Sequence, residues 1–306
     1  MTKVVAAFLA TAFATAGGRP AFAQGSPQAA AEALLAADRA YSAASAATDP
    51  VTGLTAMFAP DVIMPGPPGR LHRGLAEVTA SLRANPDNLA GRVTWTPVRV
   101  GLSSDGEHGF TFGFMTHTRA DGTTLPLKYM AYWLKGPESK GGWRVAGYKR
   151  ARRPDGNPVT TPMAPLLPTS LVPPARDAAR LAVLQRGLSG AERAFSDEAQ
   201  TVGLGAAFTK WGSPTAVNMG GPTSAQYVVG AEAIGRSVGA GAPGPTSPVE
   251  WSTDVAIVAS SGDLGISFGY IRPRAKAGDG AAPQGQPFFT IWYRASPTVP
   301  WRYIAE

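Results

Sequence analysis

The chain has 306 residues, a formal net charge of +7 and no cysteine. Disulfides and thiolate metal sites are therefore excluded, and stability must come from packing alone. The length suits two ordinary domains.

Residues 1–23 read as a secretory leader. Lys3 gives the positive start, Val4 to Ala16 the apolar run, and Ala21-Phe22-Ala23 the small-x-small cleavage site. The expected location is the periplasm or the medium, after cleavage near Ala23. The apolar run is too short to span a bilayer comfortably, and no later stretch is long enough, so no transmembrane segment is expected.

An amphipathic helix is predicted from Ser26 to about Ala47, with Leu34, Leu35, Ala37 and Tyr41 on one face. Gly53 to Phe58 gives a second short helix ended by Pro60, and Val62-Ile63-Met64 a short strand running into Pro65-Gly66-Pro67-Pro68-Gly69. A third helix covers Gly74 to Leu82, its apolar residues Leu75, Val78 and Leu82 spaced three and four apart. The period then changes. Val93–Leu102, Phe110–Thr118, Leu127–Lys135 and Trp143–Arg150 read as an antiparallel meander with turns at Asp105-Gly106, Asp121-Gly122 and Gly141-Gly142. Residues 154–176 carry seven prolines and read as a stiff, extended linker. A helix over about Asp177–Gln200 opens the rest of the chain.

That second half repeats the first. Asp38-Arg39-Ala40-Tyr41-Ser42 returns as Glu192-Arg193-Ala194-Phe195-Ser196, and Gly53 to Phe58 as Gly203 to Phe208. Trp95 to Phe114 lies without a gap on Trp251 to Tyr270. Trp133 and Trp143-Arg144 return as Trp292 and Trp301-Arg302. Solenoid repeats run only about 20–50 residues, so units this long are tandem domains. The expected organisation is a leader (1–23), a first domain (26–153), the linker (154–176) and a more degenerate second domain (177–306).

Helices followed by a curved antiparallel sheet make an α+β fold, here two tandem cone-shaped barrels. The residues resemble the SnoaL-like branch of the nuclear-transport-factor-2-like superfamily. The resemblance rests on Asp38-Arg39-Ala40-Tyr41, Met57-Phe58-Ala59-Pro60-Asp61-Val62, Arg73-Gly74-Leu75-Ala76-Glu77-Val78, Lys128-Tyr129-Met130-Ala131-Tyr132-Trp133 and Trp143-Arg144-Val145. The second copy departs where it reads Thr209-Lys210-Trp211-Gly212 for Ala59 to Val62. The resemblance implies a pocket among helices and sheet, with activities from isomerase and dehydratase to none. It also implies pairing across the sheets, here as an internal pseudo-dimer. Fold does not settle function.

All three histidines, His72, His108 and His117, lie in the first copy, which points to a working pocket there. His117 reads either as a general acid–base or as an ordinary strand-end histidine, with Arg119 on its face. Asp61 is either a pocket base or a turn residue. Tyr129 could stabilise an oxyanion, yet Tyr129, Ala131 and Trp133 also form a packed stripe. Tyr132, Lys128, Met115 and His72 complete the expected lining, for a small apolar or aromatic ligand. His108 is expected at the surface, and so is the basic run Lys149-Arg150-Ala151-Arg152-Arg153. No basic stripe interleaved with aromatics suggests nucleic acid. Metal ligation, a phosphate-binding loop and a nucleophile elbow lack their motifs, so any chemistry is expected to be cofactor-free. A non-catalytic binding or assembly module of the cell envelope remains the alternative.

Overall fold

The computed structural model describes residues 25–136, 142–274 and 284–306. The leader lies outside them, as does Gly141 of the turn expected at Gly141-Gly142. The first copy opens with helix α1 (Pro27–Ser45). The Ser26 hydroxyl caps it by accepting the Ala29 amide at 3.1 Å, and Pro27 stands where no amide is needed. Its buried face is Ala31, Leu34, Asp38, Ser42 and Ser45, so the helical spacing that buries leucine also buries a carboxylate. Next come α2 (Pro50–Thr55), strand β1 (Phe58–Pro65), β2 (Leu71–Arg73) and α3 (Leu75–Arg83). The meander is β3 (Arg92–Leu102), β4 (His108–Thr118), β5 (Thr124–Lys135) and β6 (Trp143–Arg152).

The second copy repeats this order: α4 (Ala178–Val202), α5 (Leu204–Trp211), β7 (Gly212–Asn218), β8 (Val228–Val229), α6 (Ala231–Ala240), β9 (Val249–Val258), β10 (Leu264–Pro273), β11 (Gln286–Tyr293) and β12 (Arg302–Ala305). Each sheet has six strands, ordered β2-β1-β6-β5-β4-β3 and β8-β7-β12-β11-β10-β9. The α+β class and tandem architecture are as expected, but the sheets are open and mixed rather than closed barrels. The first strand of each copy runs parallel to the last. The strands β2 and β8 escaped the sequence because each is only a few residues beside a turn.

Bulges bend the sheets. One falls between Pro97 and Arg99, opposite Gly113, and its counterpart beside Gly269. A Cβ on Gly113 would stand 2.0 Å from the Thr96 carbonyl oxygen, and one on Gly269 1.8 Å from that of Ser252. Only glycine fits, which is why both copies keep it.

Period-two alternation gives each sheet two apolar faces. On β5, Leu127, Tyr129, Ala131 and Trp133 face α1 in the first copy's interior. Met130 and Tyr132 face the other way and join Phe110, Phe112 and Phe114 in a cluster with Ile266, Phe268, Phe289 and Ile304 of the second copy. Polar clasps flank it. Ser104 donates its hydroxyl to Asp263 at 2.6 Å, and Ser260 donates to Asp105 at 2.8 Å. Tyr227 reaches from the second copy to donate to the carbonyls of Gly113 and Tyr129, both at 2.8 Å.

The proline-rich linker is extended but docked. The Met163 amide donates to Val98 at 2.7 Å and that of Leu166 to Val100 at 3.0 Å, while Leu102 donates to Leu166 at 2.9 Å. The linker therefore adds a partner to the outer edge of β3. The basic run is not a solvated face either: Arg153 is buried, and strand alternation sends successive cations to opposite sides of β6.

Candidate functional site

Each copy has a carboxylate at the centre of its interior. In the first copy, Asp38 accepts the Trp95 indole N–H at 2.5 Å and the Tyr129 hydroxyl at 2.7 Å. The Thr111 hydroxyl also bonds it, and itself accepts the Trp133 indole N–H at 2.8 Å. In the second, Glu192 accepts the indole N–H groups of Trp251 and Trp292 at 2.7 and 3.0 Å and the Ser267 hydroxyl at 2.5 Å. The neighbouring serines match as well, since Ser42 and Ser196 accept the backbone amides of Trp95 and Trp251. Burial pushes both carboxyls above the ordinary carboxylate range, against the pull of their donors. This repeated network explains why the acid and the tryptophans recur in the sequence. It ties the first helix of each copy to its sheet.

The copies differ in what surrounds that tie. Register places Phe288 where the first copy has Tyr129, each opposite its matching glycine on the neighbouring strand. It places Glu306 where the first copy has Tyr148, one residue past the paired Ala305 and Gly147. Met115, Tyr129 and Tyr148 thus fill the first interior. In the second, smaller or thinner groups leave a cavity of about 240 Å³. Glu192, Phe195, Phe208, Trp251, Phe288 and Glu306 line it. The cavity lies in the copy without histidines, not in the copy to which the histidines pointed.

Glu306 is the cavity's unusual group. Burial first, and then the nearby Glu192 carboxyl, push its pKa up to about 8, so it is protonated at neutral pH. The Asn218 side-chain amide donates to it at 3.2 Å. A protonated carboxyl on an apolar wall can donate a hydrogen bond or pass a proton.

The residues expected in the first copy's pocket are scattered. Tyr129 and Met115 do face the interior, but the Tyr129 hydroxyl is held by Asp38 and Met115 contacts the Tyr148 hydroxyl through sulfur. Lys128 and Tyr132 lie on the opposite face of β5. The Lys128 ammonium donates to the carbonyls of Met219, Ser224 and Gln226 in the second copy, and burial lowers its pKa to about 8. Tyr132 bonds His108 at 2.9 Å, so His108 is half-buried rather than at the surface. His117 sits buried at the rim beside Arg150, with Nε2 unpartnered and its pKa lowered by burial and then by Arg150. Arg119 pairs with Asp87 at 3.0 Å. His72 is buried against α3, its Nε2 2.8 Å from the Ser81 hydroxyl. Asp61 is exposed on β1. His117, Asp61 and Tyr129 form no hydrogen-bonded set. Among the described residues no three acidic or histidine side chains converge as a metal site would require, and no helix is long and apolar enough to cross a membrane.

No family model matches the chain, and no curated protein matches it. Solved structures do match, one copy at a time. A ketosteroid isomerase-like protein from Erwinia carotovora atroseptica is 18% identical, covering 41% of this chain and 92% of its own, with a TM-score of 0.28. A nuclear-transport-factor-2-like protein of unknown function from Pseudomonas putida is 14% identical over 41% of this chain and 88% of its own, with a TM-score of 0.33. One with a cystatin-like fold from Novosphingobium aromaticivorans is 15% identical over 41% and 82%, with a TM-score of 0.31. Over a stretch the length of one copy, the chain is similar in fold to nuclear-transport-factor-2-like domains. The residues that sequence reasoning passed over are Glu192, Phe288 and Glu306. The signal for Glu192 was its recurrence opposite Asp38, and for Phe288 and Glu306 the mismatch between copies at otherwise repeated strand positions, not the histidines.

Proposed function

We propose that this chain is an exported small-molecule-binding protein whose ligand occupies the second copy's interior, with the first copy serving as its scaffold in an internal pseudo-dimer. The observation that carries this reading is Glu306, a carboxyl held protonated on an apolar cavity at the strand position where the other copy has a space-filling tyrosine. Cofactor-free proton transfer of the isomerase, dehydratase or cyclase type follows from such a group, with Glu306 as acid–base. Glu192 is its structural neighbour, because Asp38 makes the same tie in the first copy. That shared tie also favours a second reading, a binding or assembly module of the cell envelope without chemistry, since it leaves one free carboxyl rather than a catalytic pair.

The test is native mass spectrometry of protein purified gently from its own host. The double variant Phe288→Tyr, Glu306→Tyr installs the side chains that the first copy already accommodates. The wild type is expected to carry a small-molecule adduct that the filled variant lacks. An adduct retained by the filled variant, or a clean apo mass across several extraction conditions, would sink the cavity reading. Once the ligand is known, Glu306→Gln separates the two versions: turnover lost with binding kept means catalysis, and no turnover in the wild type means the module.

A further inference from the structure

One residue of the cavity wall comes from the other copy. Lys149 lies on β6 of the first copy, next to Tyr148, and alternation turns it away from the first interior toward the second. Its ammonium stands 5.8 Å from the centre of the Phe289 ring. Among the described residues no carboxylate lies within 4.0 Å of that ammonium, and no hydrogen bond holds it. Burial lowers the Lys149 pKa, and Glu306 is close enough to oppose that shift but holds its own proton at neutral pH, so it does not neutralise the ammonium. A cation on a largely apolar wall with no counter-ion is costly unless something supplies the anion. The wall also carries a packed aromatic group, Phe195, Phe208 and Trp251, with the Phe195 ring centre 4.9 Å from Phe208 and 4.8 Å from Trp251.

Resting on the reading that this cavity binds a small molecule, we infer that its ligands are apolar carboxylic acids, held with the carboxylate between Lys149 and Glu306 and the apolar body among the aromatic rings. Both protein groups are donors to a carboxylate: the ammonium supplies charge, and the Glu306 hydroxyl donates a hydrogen bond. An apolar cavity of about 150 Å³ accommodates benzene, so the larger space here takes a benzene ring with a short acidic side chain. The first copy thereby reads the ligand of the second, which gives the pairing of the sheets a role beyond stability.

Titration with 3-phenylpropanoate and its uncharged analogue 3-phenylpropanol, followed by tryptophan fluorescence, tests this at pH 7. The acid is expected to bind the wild type at least about tenfold more tightly than the alcohol, the scale of one charge-assisted contact. Lys149→Met should abolish that preference while leaving the alcohol's affinity within about twofold, and Lys149→Arg should keep it. Circular dichroism confirms that the variants are folded. Equal binding of acid and alcohol to the wild type, or a preference that survives Lys149→Met, overturns the inference while the cavity reading stands. If neither compound binds the wild type, or both bind the Phe288→Tyr, Glu306→Tyr variant unchanged, the cavity reading falls and the inference with it.

Discussion

Replacing Glu192 by glutamine tests the central tie of the second copy without changing its volume. Three donors converge on the carboxylate, two indole N–H groups and one hydroxyl. An amide offers one acceptor oxygen and brings two further donors. Its best orientation keeps oxygen toward Ser267 and Trp292 and turns the amide nitrogen against the Trp251 indole, whose N–H lies 2.7 Å from the present oxygen. Trp251 then has no acceptor, and the new amide hydrogens have none either. Each orphaned buried donor costs about 1–3 kcal/mol, so a loss of about 3 kcal/mol is expected. For a domain of this size that lowers Tm by roughly 6–12 °C. Equilibrium urea unfolding followed by tryptophan emission measures it, because Trp251 and Trp292 report directly on the altered site. The matching substitution in the first copy, Asp38→Asn, should act in the same direction through Trp95 and Tyr129. A loss below about 1 kcal/mol for Glu192→Gln would refute the account, for it would mean that the converging donors find other partners.

Three further outcomes follow from packing and charge. Gly147 faces the second sheet, and a Cβ there would lie 2.8 Å from both Ile266 and Phe268, so Gly147→Leu should wedge the sheets apart, cost about 1–3 kcal/mol and split calorimetric unfolding into two transitions; an unchanged single transition would contradict the packing. Lys128→Met should speed amide exchange across residues 219–226, whose carbonyls the ammonium holds, and unchanged exchange would remove Lys128 from that role. Glu306 titrates near 4.3 in the unfolded chain and at about 8 in the folded one, so between those values the folded protein holds a proton that the unfolded chain has lost. Its stabilising effect is complete below about pH 4 and disappears as pH rises through 8. The urea midpoint should therefore decline over that window in the wild type and decline less in Glu306→Gln; parallel profiles would count against the shifted carboxyl.

The architecture was legible because both copies pair the same aromatic residues with the same turns. Trp95 and Trp251, or Gly113 and Gly269, recur since a tryptophan-carboxylate tie and a bulge each tolerate little else. The site was less legible. Alternation along β5 separates Tyr129 from Lys128 and Tyr132, but nothing in the sequence says which set faces α1 and which faces the second copy. The histidines stood out only because the second copy lacks them, and the structure spends them on local bonds and a rim. Glu306 went unnoticed because its partner is Tyr148, a pairing that appears only when the strand register is known. Lys149 looked like one member of a basic cluster, and only the fold carries it across to another domain's cavity.

The docking of residues 163–166 along β3 changes what counts as a separable piece of this molecule. An exposed strand edge invites pairing with another chain, and here the polypeptide between the copies occupies that edge. A first copy cut off after Arg153 would keep its core but bare the backbone groups of Val98, Val100 and Leu102. The connecting stretch is thus not a tether that can be shortened or exchanged for a flexible spacer. Cleavage within it would leave both sheets intact yet create a sticky border, making aggregation, rather than unfolding, the expected consequence of proteolysis there.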